Sequence, residues 1–167
     1  TVLFLLELCK YIEMEKEIAQ LLKCLKIEYA LLWVLCLVLI VLYEYDILPQ
    51  GIFTDDVRTG YMLQVCGILL AVGLIPLSLR LFSLSLIKYV RTLPLVEAVK
   101  SYRRWNEVRV CLLLVAALVN LSVYYWTMDT TGVLCAGMVL VASLFCVPGR
   151  ERVVSELDLQ RNEERAQ

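Results

Sequence analysis

Seven cysteines stand at positions 9, 24, 36, 66, 111, 135 and 146, and the chain contains no histidine. No two cysteines form a C-x-x-C pair, and without histidine no zinc-ligand spacing can be assembled. The commonest general base is missing for the same reason. Five of the cysteines (36, 66, 111, 135 and 146) fall in apolar runs, where the thiol behaves as a small hydrophobe. Cys66 and Cys135 can pair only if their segments touch. Paired carboxylates occur at Asp55 and Asp56, in the stretch DILPQGIFTDDVRTG with Arg58 close behind. They are a candidate outer-loop recognition element, able to hold a cation if Glu44, Asp46 or Asp129 converge on them. No EF-hand spacing supports that reading. The other reading is an N-cap, in which Thr54, Asp55 or Asp56 starts the next helix and Arg58 pairs with a neighbouring acid. Nothing else in the loop completes an acid–base site, and the chain is expected not to be an enzyme and to need no cofactor or metal.

Polar side chains inside apolar runs are the next candidates for chemistry, because each needs a partner there. Asn120 lies midway along one run and is expected to bond Ser122, Gln64, Ser143 or the Asn120 of a second copy. Such a bond glues helices together, and a substrate contact is the alternative. Gln64, Arg80 and Pro76 complete this set of candidate intramembrane contacts. Pro76 frees a backbone carbonyl that Ser78, Ser83 or Ser85 can satisfy, which suggests a bent helix. Arg80 is expected to snorkel to headgroups. A basic cluster of Arg103, Arg104, Trp105 and Arg109 could grip anionic headgroups, or serve only as ordinary anchoring.

These residues need scaffolding, and the composition says of what kind. Of 167 residues, 60% are hydrophobic and 20% charged, with mean hydropathy +0.74. Soluble domains are less apolar and more charged, and the excess here is gathered into four runs. They predict an all-α integral membrane protein, an antiparallel bundle of four transmembrane helices at about 29–48, 61–82, 109–127 and 131–147. Residues 28–148 form this transmembrane domain. Residues 1–27 alternate apolar Phe4, Leu8, Tyr11, Ile12, Ile18, Leu22 and Leu25 with Lys and Glu at helical spacing, which predicts an amphipathic interfacial helix. The chain begins at Thr1, and Met14 is an alternative start; no cleaved signal peptide is expected. Pro94 is expected to end one helix, with LVEAVKSYRRWNEVR beginning another. Residues 149–167 form a charged tail.

Of the 16 Lys and Arg residues, fifteen fall on alternate segments before, between and after the runs, and only Arg58 falls on the opposite side. The positive-inside rule therefore places both terminal segments in the cytoplasm. The expected location is the bacterial cytoplasmic (inner) membrane. Net charge is −1, so no basic field suggests nucleic acid. The expected partners are the lipid bilayer and either a second copy or another membrane protein. The function class that follows is structural, accessory or assembly. A small oligomeric transporter or channel is one alternative and a membrane-embedded lipid-modifying enzyme is another.

Overall fold

The computed structural model describes residues 2–85, 95–147, 149–153 and 155. All secondary structure among them is helical: α1 (Val2–Glu44), α2 (Val57–Ser85), α3 (Leu95–Thr127) and α4 (Thr130–Leu144). A short helical segment follows at 150–153. Pro94, Lys88, Arg91 and most of the charged tail lie outside the described residues.

The first departure from the sequence reading is in α1. Residues 1–27 and the first apolar run are not separate elements but one helix of 43 residues, about 64 Å long at 1.5 Å per residue. The reason is covalent: neither Gly nor Pro occurs before Pro49, so nothing interrupts the hydrogen-bond ladder where the pattern changes from mixed to apolar. α1 ends in a Schellman motif. Asp46 takes a left-handed conformation (φ 55°), and its amide and that of Ile47 return to the carbonyls of Tyr43 and Leu42.

α3 ends similarly but more tightly. Met128, also left-handed at φ 55°, donates its amide to Tyr124 O at 2.7 Å. Asp129 then caps α4 directly, accepting from the Thr131 amide. A left-handed cap followed at once by an N-cap makes a two-residue corner between α3 and α4.

α3 is the hub, because α1, α2 and α4 all pack on it, and α2 also meets α4. Small residues permit the close approach. Gly67, Ala71 and Ser78 on α2 and Gly132, Ala136 and Ser143 on α4 repeat the same spacing, each pair 65 positions apart. Ala71, Ala116, Ala117 and Ala136 are fully buried in the core, with Leu32, Cys36, Leu113 and Val139 around them. A second cluster joins Leu21, Leu22 and Leu25 of α1 to Ala98, Val99 and Tyr102 of α3 and to Val153. The amphipathic stripe is thus covered only in its second half, and Phe4, Leu8, Tyr11 and Ile12 stay exposed.

Among the described residues, three helices are long and apolar enough to cross a membrane: Phe4–Glu44, Val57–Leu81 and Glu97–Thr127. α4, with 15 residues, is shorter than the expected fourth span and covers about 22 Å. Half of α3's apolar window is buried, against 17% for α1 and α2. The apolar faces of those two helices therefore point outward from the packed helices.

Candidate functional site

The four helices carry polar contacts at three levels. At the loop end, the 45–56 connection folds over the α3–α4 corner. Gly51 and Phe53 donate their amides to the carbonyls of Tyr125 and Trp126, at 2.8 and 3.1 Å. The Tyr43 and Tyr125 rings stack with centroids 4.4 Å apart and planes within 7°. The Tyr125 hydroxyl donates to Glu44 at 3.2 Å, and Gln50 donates its amide to Tyr43 O.

Asp56 caps α2: its carboxylate accepts from the Thr59 hydroxyl at 2.5 Å and from the Thr59 amide at 3.3 Å. Those bonds hold its pKa below the ordinary carboxylate value. Asp55 and Arg58 are exposed, and no ion pair joins Arg58 to an acid among the described residues. No group of three metal-ligating side chains occurs among the described residues. The loop thus ends in a helix cap at Asp56, and its Phe53 ring packs edge-on against Trp126 at the corner.

The middle level is governed by Asn120, which is 1% exposed. Its expected partners, Ser122, Gln64 and Ser143, are not its hydrogen-bond partners here. Its Nδ2 donates back to Ala116 O at 2.9 Å, one turn earlier on its own helix. Its Oδ1 has no hydrogen-bond partner among the described residues and lies 2.6 Å from where a Cβ on Gly67 would be. The oxygen therefore faces an α-hydrogen of Gly67, a Cα–H···O contact of the kind that recurs between close helices. Asn120 O and Tyr124 N lie equally near the missing Cβ of Gly132, so α3 is clasped by glycine from α2 and from α4.

Gln64 instead donates to Asp129 at 2.6 Å, joining α2 to the α4 cap. Ser78 and Ser143 each bond a carbonyl three residues back, Ile75 O and Leu140 O. Pro76 lies inside α2, which continues through it, and Arg80 is exposed. Cys66 is exposed and Cys135 buried; although α2 and α4 touch, both thiols are free.

At the basic end the cluster divides. Arg103 and Arg104 are exposed and Trp105 packs on the Leu21–Tyr102 cluster. Arg109 is corrected from a headgroup contact to a structural cap, because it is only 5% exposed. Its guanidinium donates to Asn106 Oδ1 at 2.8 Å and to Cys146 O at 3.2 Å. Arg152 donates to Phe145 O at 2.8 Å beside it. Two arginines thus meet the carbonyls left open just past α4, where cations are favoured.

Sequence reasoning passed over Glu28 and Glu107. Arg103 Nε stands 3.0 Å from Glu107 Oε1 and 3.8 Å from Glu28 Oε1. The i, i+4 spacing of Arg103 and Glu107 was legible, but Glu28 lies on another helix and needed the fold to bring it in.

No protein family, curated protein or solved structure matches the chain.

Proposed function

We propose that this chain is an integral membrane protein of structural, accessory or assembly type, without catalysis. Four antiparallel spans cross a bacterial cytoplasmic membrane, and both terminal segments face the cytoplasm. The spans, at about 29–48, 61–82, 109–127 and 131–147, overlap four charge-free stretches, and Glu28 and Glu107 lie just outside the first and third. The short α4 suits a locally thinned bilayer, a modest cost. The fifteen-to-one division of basic residues supports the orientation.

One observation carries the non-transport reading. Four polar side chains within the spans are turned toward packing: Gln64 onto Asp129, Asn120 onto Ala116 and Gly67, Ser78 and Ser143 onto their own helices. A pore or carrier needs a continuous polar stripe, and these contacts draw four candidate members out of one. The outward apolar faces of α1 and α2, including Leu31, Val34, Val38, Leu69 and Val72, suit lipid or the face of a partner membrane protein.

Two measurements test this. In intact cells, a membrane-impermeant maleimide should leave Cys9 unlabelled and should label a cysteine placed at Thr54, in variants lacking other accessible thiols. Labelling of Cys9 from outside reverses the orientation. Proteoliposomes of the purified chain should show no solute flux above empty vesicles, and a flux abolished by Asn120→Leu would restore the transporter reading.

A further inference from the structure

Where α1 and α3 approach the edge of their charge-free stretches, two carboxyl groups meet one guanidinium. Arg103 Nε lies within 4.0 Å of both Glu28 and Glu107. The Glu28 side chain is 21% exposed, and its Oε2 is buried with no donor among the described residues. The Glu107 carboxyl stands within hydrogen-bond contact of the Glu28 carboxyl. From α3, Glu28 is faced by Arg103, Asn106 and Glu107. Asn106 turns its amide nitrogen toward Glu28, because its Oδ1 accepts from Arg109. On α1 itself, Cys24 lies beside Arg103. Lys23 and Lys26 line a groove with Glu15 and Arg150 instead.

Two ionised carboxylates cannot rest in contact without a donor between them, and one cation neutralises only one of them. We infer that Glu28 and Glu107 hold a single proton between them, and that this proton latches α1 to α3. The proton comes from the aqueous phase at the headgroup level. While it is bound, one carboxyl donates to the other, the pair carries one negative charge, and Arg103 balances it. When it leaves, two negative charges face one guanidinium and the contact between α1 and α3 loosens. The latch does not depend on which way the chain is inserted.

The direction of titration agrees with the geometry. Burial first, and then the Glu107 carboxyl, push Glu28 up to about 7 from 4.5. A carboxyl raised in this way favours the folded state when protonated. Its stabilisation is present below the ordinary carboxylate value and is lost as pH rises through about 7.

The test uses the full chain in detergent micelles. Infrared difference spectra between acid and alkaline pH should show a carboxylic-acid C=O band disappearing with a midpoint near neutrality. Trp105 fluorescence, reporting on the cluster that α1 and α3 share, should shift over the same range. Glu28→Gln mimics the protonated acid, so both signals should become flat. Glu107→Gln should flatten them too and carries the comparison if the first variant does not fold. If the wild-type chain shows no such band, or the band survives in a folded variant at either position, the shared proton is disproved.

Discussion

Asn120 Oδ1 fills the place that a side chain at Gly67 would take, 2.6 Å from the missing Cβ. That contact joins α2 to α3 at the depth where α4 presents Gly132, and it explains why a buried amide is tolerated there. The carbonyl end gains a glycine α-hydrogen, and the amide end keeps a backbone acceptor on its own helix.

Gly67→Ala should therefore destabilise the packed helices by about 1–3 kcal/mol, because the new methyl meets a buried oxygen. Adding Asn120→Ala should recover part of that loss by removing the obstructing atom. Reversible unfolding in mixed micelles would measure both, and a double variant no better than Gly67→Ala alone would rule out the contact.

Gly132→Ala should cost more and should not be rescued in this way. Its Cβ would meet Tyr124 N, Asn120 O and Tyr124 Cα, all backbone atoms and all within 3.0 Å. No side-chain truncation relieves a backbone clash, so the two helices must separate. The expected reading is a larger stability loss for Gly132→Ala, unchanged by Asn120→Ala.

Arg109→Ala should cost about 2–4 kcal/mol, since Asn106 Oδ1 and Cys146 O both lose a charged donor. Arg104→Ala, at an exposed position, should stay within about 0.5 kcal/mol. If the two substitutions cost the same in denaturation, the capping role assigned to Arg109 fails.

Met128→Gly should stabilise the chain by about 0.5–1 kcal/mol. Met128 holds a left-handed backbone that a side chain disfavours and glycine adopts freely. Its own side chain is exposed and little packing is lost. A lower midpoint in the variant would show that Met128 makes a contact worth more than the strain.

Asp56→Asn should weaken the first turn of α2, read as faster hydrogen exchange at the Thr59 amide. In the wild-type chain the same turn should loosen with acid. The carboxyl is held below its ordinary 3.8, so its contribution is full above that value and fades as pH falls through the lower, folded value.

Much of this was legible in advance, and the misses share a cause. The helices α2 and α3, the α3–α4 corner and the cap at Asp56 follow from runs, breakers and cap residues that act over a few positions. Arg109 and Arg103 are both basic residues in one short stretch, yet one is buried and the other exposed. Their difference lies in what stands opposite: α4 ends beside Arg109, whereas Arg103 faces Glu28 on the side of α1. The amphipathic segment and the first apolar run share one helix because a change in polarity does not interrupt a backbone that lacks Gly and Pro.

By itself, the sequence determined where helices can form, how apolar each one is, and on which segments the basic charge falls. Missing histidines and the lack of any C-x-x-C pair also follow from the sequence directly. These are local, additive properties of the chain. Only the tertiary structure decided that Asn120 would meet Gly67, that Gln64 would meet Asp129, and that Glu28 would stand beside Glu107. Those partners lie dozens of residues apart, and their meeting depends on how small residues let one helix seat against another. Side-chain register at a helix contact is a property of both surfaces at once, so neither segment carries it alone.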